Sequence, residues 1–136
     1  MRPSQTLRSD PQMMAGRNGD QKKAKANEII RRTVRRIRLK YRPEGIILFG
    51  SHAYGNPDID SDIDLLIIKR TRKPFHERYA DVGAIIREVR RGWAVSPFVL
   101  SPSELQKRLD AGDQFIAEVI SRGRLLYGRK GIIAAG

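Results

Sequence analysis

The sequence of 136 residues contains no cysteine. Disulfide bonds and zinc sites with cysteine ligands are therefore excluded, and we expect a protein of a reducing compartment, the cytoplasm. Apolar residues make up 40% of the chain. No apolar run approaches the roughly 18 residues that a membrane-spanning helix needs, so we expect no membrane contact. Residues 1–21 also lack the apolar segment of a secretory signal peptide.

Acidic residues are scarce, since 15 aspartates and glutamates stand against 27 lysines and arginines, and the net charge is +12. The basic excess is concentrated in residues 1–45. Because a charge of this size attracts anions over long distances, we expect a nucleotide, a nucleic acid or an acidic protein surface as the partner. The charge alone does not distinguish among these three.

The length suits one domain with one core. Residues 1–21 have no apolar period, so we interpret them as a disordered tail, followed by a domain over residues 22–128 and a second tail over residues 129–136. Apolar periodicity predicts, in order, a basic helix (22–41), strands (45–50 and 62–69), a helix (74–89), a strand (93–100), two helices (101–109 and 113–122) and a strand (124–127). This order is typical of an α/β fold. In the last helix, Phe115 is expected to point inward with Ile116.

Gly50 and Ser51 follow the first predicted strand directly, at what should be a tight turn. A glycine lets a phosphate group approach the backbone, and the serine offers an N–H group and a hydroxyl group. The pair therefore has the composition of a phosphate-binding turn. An ordinary turn without a ligand is the alternative, and the pair alone does not decide between them.

Four aspartates occur at every second position, namely Asp58, Asp60, Asp62 and Asp64. In an extended chain their carboxylates project from one face about 6–7 Å apart, so neighbouring pairs repel each other. A hard divalent cation removes this repulsion, and Mg²⁺ typically takes one or two carboxylates together with water and substrate phosphates. Asp62 and Asp64 are the predicted ligands because they enter the apolar strand. A solvated acidic turn is the alternative.

Together, Gly50-Ser51, ten further residues and Asp62-Ile63-Asp64, set in two apolar strands, resemble the signature of the minimal nucleotidyltransferases of the DNA polymerase β-like superfamily. The resemblance covers roughly residues 24–128. It implies a small mixed sheet with helices mainly on one face. It also implies that Gly50 and Ser51 bind the triphosphate of a nucleotide. Asp62 and Asp64 would hold Mg²⁺ and act as the catalytic carboxylates that transfer a nucleotidyl group to a hydroxyl group.

The sequence departs from that signature at two positions. Members usually carry a third aspartate on a later strand, and alignment on Ser101-Pro102 puts Ser96 there. The second departure is Tyr54, at a position where arginine is frequent. We therefore expect weak transfer activity, because a third carboxylate helps to deprotonate the attacking hydroxyl group. Pro97, beside Ser96, is expected to disturb strand pairing.

The predicted function is thus Mg²⁺-dependent transfer of a nucleotidyl group, with ATP as the expected nucleotide. The resemblance also implies a protein partner, because some members are antitoxins of toxin–antitoxin pairs that modify a tyrosine of a HEPN-type protein. A non-catalytic module that binds protein or nucleic acid through a vestigial site is the alternative, and a nucleic-acid partner is favoured less. For His52 and His76, ordinary surface or packing roles are favoured over metal binding.

Overall fold

The computed structural model describes the backbone of residues 11–55 and 61–129, and the side chains of residues 21–55 and 61–129. These residues form α1 (Pro11–Tyr41), β1 (Gly45–Phe49), α2 (Ser51–Tyr54), β2 (Ile63–Ile68), α3 (Phe75–Ile86), β3 (Val95–Leu100), α4 (Pro102–Asp110), α5 (Gln114–Arg122) and β4 (Arg124–Gly128). None of these helices combines the length and the apolar composition that a membrane span requires.

Helix α1 follows the predicted apolar stripe, since Ala26, Ile30, Val34 and Ile37 are all buried. It begins at Pro11, well before the predicted start. Formation of the first helical turn is unfavourable, and the packed C-terminal half of α1 provides that turn. Each further residue then adds a hydrogen bond, so the helix extends into a segment that has no apolar period. Most of the predicted tails, residues 1–10 and 130–136, lie outside the described residues.

The four strands form one mixed sheet in the order β3-β2-β1-β4. Strand β1 pairs antiparallel with both β2 and β4, whereas β2 and β3 are parallel. A parallel pair needs a long crossover connection, and α3 provides it between β2 and β3. The predicted mixed sheet is therefore confirmed.

Helices cover both faces of this sheet. On the first, here called the α1/α3 face, the buried sheet residues are Ile46, Leu48, Ile63, Leu65 and Ile67. On the second, the α4/α5 face, they are Ile47, Leu66, Ile68 and Leu100. The expected arrangement, with helices mainly on one face, is corrected here. Successive residues of β1 and β2 are apolar and point to opposite sides, so both sides need a cover.

Strand β3 lies at an edge of the sheet and contains Pro97. Its register with β2 is continuous from Val95 to Leu100, so the expected disturbance by Pro97 is absent. The amide of Ile63 donates to the carbonyl oxygen of Ala94. In a parallel ladder, alternate residues of a strand bond to the same neighbour, so the amides of the even-numbered residues of β3 point toward β2. The nitrogen of Pro97 thus faces the open edge, where no ladder hydrogen bond is lost.

Helices α4 and α5 begin as the sequence predicts. Ser101 and Glu104 form a capping box at α4, and the Asp113 side chain accepts a hydrogen bond from the amide of Ile116 at α5. The expected inward position of Phe115 is wrong, because its side chain is 50% exposed. Its ring meets that of Phe49 edge to face with the centroids 5.7 Å apart.

A buried arginine joins α3 to α4 around the edge strand β3. Arg78 donates from Nη1 to Oε1 of Glu104 at 2.7 Å and from Nη2 to Oε2 at 3.1 Å, and also to the carbonyl oxygens of Lys73 and Val99. The hydrogen bond from Arg78 lowers the pKa of Glu104 to about 2. The pair therefore links helices from opposite faces of the sheet.

Replacing Glu104 with glutamine is expected to remove stability that depends on pH. The pKa of the Glu104 carboxyl group is 4.5 in the unfolded chain and about 2 in the folded protein. The ionised group therefore stabilises the folded protein fully above pH 4.5, and this stabilisation is lost as the pH falls through 2. Because 31% of the side chain is exposed, screening should limit the loss at neutral pH to about 1–2 kcal/mol. Urea unfolding of both proteins across this pH range measures the difference.

A matched control is Glu28→Gln, which removes an exposed carboxylate that pairs with two arginines along α1. This variant should stay within about 0.5 kcal/mol of the wild type at every pH. A Glu104→Gln protein whose deficit is the same at neutral pH and near pH 2 would show that the charge of Glu104 contributes nothing.

Candidate active site

The turn after β1 is built around Gly50, which has φ 74° and ψ −162°. Only glycine adopts this conformation without strain. A Cβ atom at this position would collide with Oδ2 of Asp64 and lie 3.2 Å from its Cγ. The predicted phosphate-binding turn and one predicted metal ligand are therefore in direct contact.

The short helix α2 continues from this turn. The carbonyl oxygen of Gly50 accepts hydrogen bonds from the amides of Ala53 and Tyr54, at 3.0 Å and 3.1 Å. The amides of Ser51 and His52 precede the first helical hydrogen bond, so helix geometry gives them no acceptor within α2. Ser51 is partly buried. The turn thus offers backbone N–H groups and one hydroxyl group next to Asp64.

Asp64 occupies the centre of the sheet at the end where β1 stops. It lies opposite Phe49 of β1 on one side and Ser96 of β3 on the other. Burial raises the pKa of the Asp64 carboxyl group, the negative charge of Asp62 raises it further, and His52 lowers it. Because successive side chains of a strand point to opposite faces of the sheet, the side chain of Asp64 lies on the α4/α5 face, like those of Leu66 and Ile68.

Asp62 is exposed just before β2 and acts electrostatically on Asp64. Among the described residues, neither carboxylate forms a salt bridge, and no group of three or more potential metal ligands occurs. Two adjacent carboxylates that no lysine or arginine of the described residues neutralises fit Mg²⁺, which prefers oxygen ligands and completes its shell with water and phosphate. The other two aspartates of the alternating set, Asp58 and Asp60, lie outside the described residues.

Ser96 pairs with Asp64 in the register of the parallel strands. The two residues occupy neighbouring positions on the same face of the sheet, so a carboxylate at position 96 would add a third acidic group beside Asp64. The chain has only a hydroxyl group there.

Two side chains at the site were not predicted to take part in it. His52 donates from Nε2 to the carbonyl oxygen of Ser61 at 3.1 Å, which ties α2 to the residue before Asp62. Arg122, at the end of α5, places its guanidinium group 4.1 Å from the centroid of the Tyr54 ring. The position of His52 next to Ser51 was a usable signal, whereas no sequence pattern connects Arg122 with Tyr54.

Comparisons with known proteins identify the family and the fold of the chain. The family model described as polymerase beta, nucleotidyltransferase matches residues 32–131, more than two thirds of the chain. A 1.40 Å crystal structure of a Sulfolobus solfataricus protein, provisionally identified as a nucleotidyltransferase, shares the fold with a TM-score of 0.54. It is 19% identical, and the match covers 81% of this chain and 86% of the other. The search of curated proteins finds no match. By its family match and its fold, the chain belongs to the polymerase β nucleotidyltransferase family.

Proposed function

We propose that the protein binds ATP together with Mg²⁺ and transfers the nucleotidyl group to a hydroxyl group. The contact between the Gly50 turn and the carboxylate of Asp64 carries this proposal. A phosphate group held by the turn would lie beside the carboxylates that hold its metal ion, which is the arrangement that phosphoryl chemistry with Mg²⁺ requires. We place this reaction in the cytoplasm, where ATP and Mg²⁺ are available.

Each residue of the site has a distinct part in this proposal. Asp62 and Asp64 would hold Mg²⁺, which when bound neutralises charge on the phosphate oxygens. Gly50 and Ser51 orient the triphosphate through N–H groups and the serine hydroxyl group. His52 fixes the backbone just before Asp62.

The reaction is an in-line displacement at the α-phosphorus atom. The acceptor oxygen forms a bond to this phosphorus while the bond to the oxygen bridging to the β-phosphate breaks. Pyrophosphate leaves, and the proton of the acceptor hydroxyl group passes to water. Since Ser96 provides no carboxylate beside Asp64, no acidic side chain of β3 accepts that proton, and we propose that transfer is slow.

The Ser96→Asp variant is therefore expected to transfer the nucleotidyl group about 10-fold or more faster than the wild type, because a positioned base assists the deprotonation. Without metal, the added charge next to Asp64 should lower the melting temperature, whereas Mg²⁺ should stabilise the variant more than the wild type. Release of labelled pyrophosphate and thermal unfolding, with chelator or with Mg²⁺, measure these effects.

Ser96→Asn is the control, because it has nearly the same shape as aspartate and no charge. It should transfer no faster than the wild type and show no added response to Mg²⁺. A wild type that transfers rapidly and is slowed by Ser96→Asp would mean that a different group completes the site.

For the acceptor, we propose a hydroxyl group on a partner protein of the HEPN type, as in a toxin–antitoxin pair. The support is the resemblance to minimal nucleotidyltransferases. A neighbouring gene for a helical HEPN-type protein would identify the candidate. Mass spectrometry of that protein after incubation with Mg²⁺ and ATP should then show an adenylylated tyrosine, and an unmodified protein would contradict this acceptor.

A non-catalytic binding module is the second candidate, and two observations favour it. The acidic site has a serine opposite Asp64, and Arg31, Arg35 and Arg38 of α1 line a groove of about 880 Å³ that also reaches Arg124 of β4. Such a groove would attract a polyanion. RNA binding that weakens steeply with salt and is unchanged in Asp62→Asn would support this candidate over the enzyme.

A further inference from the structure

Among the described residues, no lysine or arginine forms an ion pair with Asp62 or Asp64 of the candidate site. Asp62 and Asp64 would face a triphosphate, and a single Mg²⁺ does not neutralise both the carboxylates and the phosphates. The turn from Gly50 to Gly55 contains no lysine or arginine. A cationic side chain from another element would strengthen binding of the triphosphate.

Arg122 lies on the helix that ends next to this turn. Its guanidinium group stacks over the ring of Tyr54, 4.1 Å from the centroid. Tyr54 is one helical turn from Gly50, since its amide donates to the Gly50 carbonyl oxygen at 3.1 Å. Two contacts thus connect Arg122 to the glycine that abuts Asp64.

The backbone after Arg122 fixes this position. A Cβ atom on Gly123 would collide with the carbonyl oxygen of Val119 and lie 2.7 Å from Cγ2 of Ile47 and 3.1 Å from the carbonyl oxygen of Leu48. The end of α5 is therefore pressed against β1 close to the turn. Any larger residue at position 123 would push α5, and Arg122 with it, away from the site.

The guanidinium group of Arg122 is held but not saturated. Its Nη1 donates to Oε1 of Glu118 at 2.9 Å, and the side chain remains 57% exposed. Within the described part of the chain, its Nε and Nη2 groups make no hydrogen bond. These N–H groups are the planar, paired donors that match phosphate oxygens.

The neighbouring Arg124 provides a contrast. It is exposed like Arg122, but it lines the groove with α1, on the α1/α3 face of the sheet. Arg122 belongs to α5, on the α4/α5 face, where Asp64 also lies. The two arginines flank Gly123 and carry the same charge, yet only Arg122 is on the side of the aspartates.

We propose that Arg122 binds phosphate oxygens of the nucleoside triphosphate and that Tyr54 is the positioning residue that holds the guanidinium group of Arg122. This proposal rests on the proposed function. The face of a tyrosine ring attracts a guanidinium group and leaves its edge donors free. The segment from Arg122 to Gly123 then belongs to the nucleotide site, although it lies far from the glycine–serine turn in sequence.

Calorimetric titration of the full chain with ATP, ADP and AMP in the presence of Mg²⁺ tests this. Arg122→Ala should weaken ATP binding about 10-fold or more, in line with the loss of a hydrogen bond to a charged group, and should leave AMP binding unchanged. Arg122→Lys should restore part of the affinity. Arg124→Ala, which removes the same charge from the other face, should bind ATP within about 2-fold of the wild type, since it loses only screened long-range attraction.

Two substitutions of Tyr54, one that keeps the aromatic ring and one that removes it, test its positioning role. Tyr54→Phe keeps the ring and should retain ATP affinity, whereas Tyr54→Leu should lose affinity about 2- to 5-fold, the equivalent of an exposed cation–π contact. A role in folding alone would lower the melting temperature of Tyr54→Leu without changing the preference for ATP over AMP.

Two results would overturn the role of Arg122. The first is an unchanged ATP affinity in Arg122→Ala, and the second is an equal loss in Arg122→Ala and Arg124→Ala, which would indicate long-range attraction alone. A wild type that binds no ATP with Mg²⁺ is a different outcome, because it contradicts the proposed function itself.

Discussion

Replacing Gly50 with alanine is expected to abolish Mg²⁺-dependent ATP binding while the chain still folds. The added Cβ atom would collide with Oδ2 of Asp64, so the carboxylate must rotate away from its present position. The backbone, at φ 74° and ψ −162°, also becomes strained by about 1–3 kcal/mol. We expect ATP binding in Mg²⁺ to fall below detection, a loss larger than the roughly 10- to 100-fold that follows when a group supporting a metal ligand is removed.

The chain offers a matched control for this substitution. Gly55 also has a positive φ of 88°, but a Cβ atom there meets nothing within 4 Å among the residues that the structure describes. Gly55→Ala should therefore cost about 1–2 kcal/mol of stability and leave ATP affinity unchanged. Ser51→Ala should fall between the two, with a loss of about 1–3 kcal/mol in binding. Equal ATP affinity in the wild type and in Gly50→Ala would place the nucleotide elsewhere.

Replacing Asp64 with asparagine is expected to have opposite effects on binding and on stability. Burial and the neighbouring Asp62 raise the pKa of Asp64, which means that the charged carboxylate is disfavoured in the fold without metal. Removing this charge should leave the fold intact and raise the melting temperature by roughly 1–4 °C in chelator. The same variant should no longer be stabilised by Mg²⁺ with ATP.

Asp110→Asn is a suitable control, because Asp110 is exposed at the end of α4 and outside the site. It should change neither the melting temperature in chelator nor the response to Mg²⁺ with ATP by more than about 1–2 °C. A melting temperature of Asp64→Asn that falls in chelator would mean that the carboxylate stabilises the fold through an interaction other than the one described.

Local sequence patterns were sufficient for the four strands and for every helix except the short α2 and the start of α1. The apolar runs of β1 and β2, the stripe of α1 and the Ser101–Glu104 capping box each depend on residues within one element, so periodicity and capping rules identify them. The glycine–serine turn and the alternating aspartates were visible for the same reason. The contact between the turn and the aspartates, through Gly50 and Asp64, could not be predicted without the register of β1 with β2.

The features that the sequence did not predict depend on how elements distant in sequence pack together. The ion pair between Arg78 and Glu104 and the stacking of Arg122 on Tyr54 join residues whose separation no local rule covers. The distribution of helices over both faces was not predicted either. A strand that is apolar at successive positions shows that both faces are covered, but not which helices cover them.

Calorimetric titration of the wild type with ATP, in Mg²⁺ and in chelator, bears on the proposed site as a whole. We expect ATP to bind with one site per chain in Mg²⁺, to bind at least about 10-fold more weakly in chelator, and to bind equally weakly to Asp64→Asn under both conditions. ATP affinity that is the same with Mg²⁺, with chelator and in Asp64→Asn, or no binding to the wild type at all, would contradict a nucleotide site built from Gly50, Ser51, Asp62 and Asp64.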